Sequence, residues 1–199
     1  MDSFVNELLK YLFGGFVAFM VKVSYDKYRD VKKGKLKKDF KTAYETVTEL
    51  HYNLDYILSE TGAERALILK SENGGGKPRL DAHLYSSIIH EAFNGLPSIK
   101  DKWQRQRIDA DYSKLLSELT NRKIYTIFTK DLEDKSILKD NYISAEIKMS
   151  RVIELYEDEK KYIYMSLNYL EIPSEEERPS EMDVIRAAVT NLKKLFKKD

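Results

Sequence analysis

The residues most able to do chemistry are a glycine-rich loop and a lone arginine. The loop, Asn73, Gly74, Gly75, Gly76 and Lys77, follows an apolar stretch, Glu64–Ser71, that reads as a buried strand. Backbone amides freed by glycine can cradle a phosphate, and a lysine can neutralise it. The Walker pattern also needs an outer glycine spacing and a Ser or Thr after the lysine, and both are missing. The G-x-G-x-x-G register is missing too, so the loop is equally an inter-strand connection. Arg151 lies in an alternating run with Ile147, Met149, Ile153 and Leu155 on its face. A guanidinium there is buried among apolar side chains, which is costly unless it is paired. It is either an anion-coordinating residue of a pocket, a member of a salt bridge, or turned outward by a bulge.

Other residue types narrow the chemistry by exclusion. The chain has no cysteine, so thiol nucleophiles, disulfides and thiolate zinc sites are absent. His83 and His90 fall on opposite sides of a regular strand, and His51 lies in a helix, so no metal site is expected. No Ser/His/Asp arrangement and no acid–base carboxylate pair stands out, so no catalytic residue is assigned, no cofactor is expected, and the chain reads as non-enzymatic. Trp103 stands among cations and reads as a pin for its loop or as a partner contact.

The 199 residues suit one domain and a short appendage. Charged residues make up 34% and aromatics 12%, and the aromatics argue against disorder. The net charge of +1 argues against a generic polyanion binder, and the basic clusters lack interleaved aromatics, so nucleic acid is not an expected partner.

The appendage is residues 1–34, and residues 35–199 form the domain. Tyr11–Val21 carries no charge and is followed by a basic run that includes Lys32, Lys33, Lys35, Lys37 and Lys38. An apolar segment with cations on one side predicts a membrane anchor with the cations cytoplasmic. Eleven residues span only about 16 Å as a helix. A hydrocarbon core needs about 20 residues, so the span is short. Tyr11, Phe13, Phe16 and Phe19 would meet lipid or another copy, and Gly14 and Gly15 would let two backbones approach. The five lysines would meet anionic headgroups. The third reading is a helix on the protein's own core.

A break near Gly34 and a second helix from Leu36 to Thr61 are expected, because Leu36, Phe40, Ala43, Val47, Leu50, Leu54 and Ile57 recur at helical spacing. Strands are expected at Glu64–Ser71, His83–Phe93 and Lys123–Thr129, and as a hairpin, Glu146–Tyr156 with Lys160–Leu170. In the last strand Ile163, Met165, Leu167 and Tyr169 share one face. Tyr162, Tyr164, Ser166 and Asn168 share the other, as an association surface or as cross-strand packing. Short helices are expected at Asp111–Leu119 and Asp134–Ala145. A closing helix, capped by Ser180, carries a stripe of Met182, Ile185, Ala188, Val189, Leu192 and Phe196. This order predicts an α+β fold: an antiparallel sheet of about five strands with opening and closing helices on one face, preceded by the N-terminal hydrophobic helix.

The long opening helix, the phrase GAERALILKSENGGG, the hairpin IELYEDEKKYIYMSL and the closing helix together resemble a GAF-like domain over about Leu36–Phe196. The arrangement is similar to small membrane-anchored GAF-like proteins of phage genomes. The turn Ser71-Glu72-Asn73-Gly74 departs from their pattern by lacking an aromatic and a histidine. The resemblance implies a GAF/PAS-like sheet that binds small molecules, senses signals or dimerises. Three functions follow as expectations. The first is a membrane-tethered scaffold or recruitment module on the cytoplasmic face of the inner membrane, with an unknown protein partner. The second is a sensor for a small anion or nucleotide. The third is a structural part of a virion or other homo-oligomeric assembly.

Overall fold

The computed structural model describes residues 2–72, 84–158, 161–174 and 178–197, with the backbone alone for residues 2–19 and 178–179. The elements are α1 (Asp2–Glu60), β1 (Arg65–Glu72), β2 (Tyr85–Phe93), β3 (Gln106–Arg107), α2 (Ala110–Arg122), β4 (Ile124–Phe128), α3 (Ile137–Ser144), β5 (Met149–Glu157), β6 (Tyr162–Tyr169) and α4 (Arg178–Phe196).

Two compact units divide the chain, Met1–Thr48 and Glu49–Asp199. The first consists of α1 residues. The expected break at Gly34 does not occur, and α1 runs through it. A single interior glycine costs a helix only about 1 kcal/mol against alanine. Ending one takes a capping geometry, and Gly34 is not in the left-handed region. Between residues 20 and 48 the helix exposes Tyr25, Tyr28, Val31, Leu36, Phe40 and Tyr44. Lys32, Lys33, Lys35, Lys37 and Lys38 are exposed as well. The anchor is not found: among the described residues no helix is long and apolar enough to cross a membrane. The physical reason is that the uncharged run is short and gives way to lysines after Val21. The side chains of Tyr11, Phe13, Gly14, Gly15, Phe16 and Phe19 lie outside the described residues.

The second unit is built on a six-stranded antiparallel sheet in the order β3-β2-β1-β6-β5-β4. The strand beyond the expected five is β3. Its two residues sit in the polar stretch 98–107 and have no periodicity to reveal them, yet Tyr85 pairs with Arg107 and Ser86 with Gln106. The expectation of helices on one face is also corrected, since both faces are covered. Leu50, Leu54, Ile57 and Leu58 of α1 join Ile185, Ala188, Val189 and Leu192 of α4 over Ala66, Ile68, Met165 and Leu167. On the other face Tyr112, Leu115 and Leu119 of α2 and Leu138 and Tyr142 of α3 pack on Leu67, Leu69, Val152 and Tyr164. The central strands β1, β5 and β6 are therefore buried on both sides. That is why β1 reads as a continuous apolar run from Ala66 to Leu69, while β5 and β6 bury polar side chains, Ser150, Ser166 and Asn168, on one face.

Ser180 does not cap α4, which begins at Arg178. Pro179 sits in its first turn, where a missing N–H costs nothing. The stripe on α4 is otherwise as the spacing predicts.

Candidate functional site

The two faces of the sheet differ in chemistry. The α1/α4 side is mostly hydrocarbon around one buried charge pair. The α2/α3 side buries a set of hydroxyls.

Asp109 builds this second side. Its carboxylate caps α2 by accepting the Tyr112 N–H at 2.9 Å, and it accepts the Ile137 N–H at the start of α3 at 2.7 Å. A carboxylate is well placed at two helix N-termini. The shared cap turns both helices so that Tyr112 and Tyr142 project onto the sheet. Lys123, in the left-handed conformation, ends α2 by donating its N–H to the Leu119 carbonyl at 2.8 Å.

Two hydroxyl groups of contacts result. Tyr112 donates to Ser86 Oγ at 3.0 Å, Ser86 Oγ lies 2.6 Å from Tyr164 Oη, and the two tyrosine hydroxyls share a hydrogen bond. Deeper in the sheet, Ser150 Oγ lies 2.7 Å from Ser166 Oγ, and Ser166 donates to Asn168 Oδ1 at 2.8 Å. Asn168 Nδ2 has no hydrogen-bond partner among the described residues, although the residue is 1% exposed. Trp103 stacks on Tyr142 with centroids 6.1 Å apart and planes 4° apart. Of its two expected roles, Trp103 takes that of the loop pin. Tyr164 and Tyr162, expected on a surface or in a solvated sheet, lie under α2 and α3, with Tyr164 fully buried and Tyr162 half-buried.

Burial pushes the Tyr142 hydroxyl well above the ordinary tyrosine range, against hydrogen bonds to Ser150 and Ser166 that pull it down. Burial, then the neighbouring Tyr112, pushes Tyr164 well up, and burial raises Tyr112 as well. Each hydroxyl thus holds its proton more tightly in the folded chain than in the unfolded one. Below about pH 10 the linked stability is complete, and above it stability falls as pH rises. The loss is about 1.4 kcal/mol per pH unit for each of these tyrosines. Tyrosinate absorbance followed against pH will show Tyr112, Tyr142 and Tyr164 ionising only together with unfolding. Smooth titration of every tyrosine in a folded chain would contradict the buried network.

Arg151 is on the other face. Its neighbours across the strands are Leu167 and Thr126. It is 4% exposed, and its Nη1 donates to the Glu181 carboxylate of α4. Its guanidinium centre stands 5.5 Å from the centroid of the Tyr169 ring. The salt-bridge expectation describes this geometry. The pair is screened from the hydroxyls by the sheet, so Arg151 and the tyrosine network are not one site. Asn73, Gly74, Gly75, Gly76 and Lys77 lie outside the described residues. His51 and His90 do meet, with ring centroids 5.7 Å apart, but no group of three metal-ligating side chains occurs among the described residues.

Sequence reasoning passed over Ser86, Tyr112, Tyr142, Ser150 and Glu181. The usable signal was small polar residues at matching levels of adjacent strands: Ser150 faces Asn168, and Ser166 faces Val152 beside it.

No protein-family model and no curated protein matches the chain by sequence. Solved structures do. The chain is similar to the GAF domain of a two-component sensor histidine kinase from Bacillus halodurans, with 16% identity over 76% of this chain and 92% of that one and a TM-score of 0.53. A far-red cyanobacteriochrome photoreceptor matches at 12% identity over 83% and 98% of the two chains, with a TM-score of 0.52. GAF3 from Slr1393 of Synechocystis sp. PCC6803, in its photoproduct state, matches at 12% over 75% and 94%, with a TM-score of 0.50. The chain has a GAF-domain fold.

Proposed function

We propose that the second unit is a small-molecule sensor module without catalytic activity, which takes its ligand on the α2/α3 face of the sheet. The observation that carries this is the polar set buried in an aromatic interior, above all the unpartnered amide of Asn168. Small-molecule sites are mostly apolar with a few placed polar groups. Leaving a buried donor unpaired costs about 1–3 kcal/mol, which a ligand acceptor would recover. The solved structures it resembles include the GAF domain of a sensor histidine kinase and a far-red cyanobacteriochrome photoreceptor, and a sensor role here is in keeping with them. The interior offers hydroxyls, an amide and one buried cation, Arg65, which lies across from Asn168 and is already paired with Glu91 at 3.3 Å, so it suits a flat molecule with a hydrogen-bonding edge and no net charge. Arg151, already paired with Glu181, is not available to an anion there.

The test is thermal unfolding of the full chain against a panel of nucleobases, nucleosides, nucleotides and neutral aromatic amides. A ligand at about a hundred times its dissociation constant stabilises by about 2.7 kcal/mol. The expected hit raises the melting temperature by several degrees, and Asn168→Ala removes that rise. A hit whose effect survives both Asn168→Ala and Ser166→Ala binds elsewhere and ends this reading.

A second reading keeps the scaffold or recruitment role for the first unit. Its support is the coincidence of exposed Leu36, Phe40 and Tyr44 with the five exposed lysines on α1. Such a helix suits an anionic surface, including the membrane face expected from the sequence.

A further inference from the structure

The sheet has two edges, and the protein treats them differently. At the β2/β3 edge a loop covers the strand. Ile88 donates its N–H to the Trp103 carbonyl at 3.4 Å, and Lys100 Nζ and Gln104 Nε2 reach the carbonyls of Ile89 and Ile88 at 2.8 and 2.9 Å. Glu91 holds that loop by accepting the N–H groups of Ile99 and Lys100. At the other edge lies β4, Ile-Tyr-Thr-Ile-Phe, a run of strong strand formers.

Which backbone groups of β4 are free follows from the ladder. Glu154 donates its N–H to the Lys123 carbonyl, and Thr129 donates its N–H to the Lys148 carbonyl, both at 3.0 Å. Odd positions therefore face β5. With a period of two, the N–H and C=O groups of Ile124, Thr126 and Phe128 point away from the sheet. None of them bonds to another described residue beyond the sheet. Natural edges are usually blunted by proline, by a bulge or by a covering segment, and this one has none of these among the described residues.

A cleft of about 220 Å³ lies along the same strand. Four consecutive residues, Tyr125 to Phe128, line it. Successive side chains leave a strand on opposite faces, so a cleft that touches all four runs along the edge. Its other wall is Asp111, Lys114 and Leu115 of α2 with Asp131, Leu132 and Glu133. The lining thus carries three carboxylates against one lysine. Asp131 and Glu133 are exposed and make no salt bridge to a described residue.

We propose that the β4 edge and this cleft dock an extended, lysine- or arginine-bearing segment of a partner polypeptide as a seventh strand. Main-chain bonds to Ile124, Thr126 and Phe128 would supply affinity, and the carboxylate rim would choose basic side chains, as strand addition does in general. The site is separate from the buried hydroxyls and stands whether or not those take a ligand.

The test is fluorescence anisotropy of the full chain with a labelled probe peptide of alternating lysine and valine, compared with the same peptide carrying glutamate for lysine. The expected result is saturable binding of the lysine peptide, at least about tenfold tighter than the glutamate peptide. Asp131→Lys with Glu133→Lys should weaken it about tenfold, and amide exchange should slow at Ile124, Thr126 and Phe128. Thr126→Pro removes one outward N–H and no bond to β5, which is where an edge strand tolerates proline. Binding must vanish in that variant once its melting curve shows that it folds. Equal binding of both peptides, no binding by the folded chain, or exchange protection away from β4 overturns the proposal. So does a dimer joined through β4 and broken by Thr126→Pro, since a second copy would then be the occupant.

Discussion

Arg151→Met lowers the stability of the second unit by about 3–5 kcal/mol, because it leaves the Glu181 carboxylate buried and unpaired. Glu181 is 4% exposed and sits at the base of α4 against Tyr169, so water cannot take the place of the guanidinium. The cation over the Tyr169 ring is lost as well. The double variant Arg151→Met/Glu181→Met should recover most of the loss, since a buried pair replaced by apolar side chains of similar size is often neutral. Urea unfolding with an unchanged slope measures both. A loss below about 1 kcal/mol in the single variant would mean that the pair is not needed for folding. The guanidinium would then again be a candidate for binding an anion.

Leu54→Ala and Phe40→Ala should separate the two parts of one stripe on α1. Both residues belong to the same run of helical spacing. Leu54 is fully buried under the sheet, and its truncation should cost about 2–5 kcal/mol through lost transfer energy and the cavity left behind. Phe40 is 61% exposed, and its truncation should change the melting of the second unit by less than about 0.5 kcal/mol. A large and concentration-dependent effect at Phe40 would show that copies of the chain cover this face, and the self-association expected from the sequence would then be located there.

These two residues also show where sequence reading stops. Period and spacing place Leu54 and Phe40 on a helix equally well, and nothing local says that a sheet lies over one of them. The same holds for Tyr164. Alternation correctly puts it on the face opposite Met165, but whether that face is wet depends on α2 and α3, which come from 20 to 54 residues earlier in the chain. Gly34 shows the opposite error, a residue type taken as a stop where the surrounding helix is strong enough to continue.

The amino-acid order by itself determined the α+β class, the late hairpin and its two faces, the closing helix, the absence of thiol chemistry and the place of Arg151 on an otherwise apolar strand face. All of these follow from short-range periodicity and from the cost of an unpaired charge. Tertiary structure alone decided that Arg151 meets Glu181, 30 positions away, that both faces of the sheet are covered, that Ser86, Tyr112 and Tyr164 share hydrogen bonds, and that β4 is left as an open edge. The physical reason is range: spacing reports which side of an element a residue occupies, whereas partners are set by strand order and helix placement, to which residues far apart in the chain contribute together.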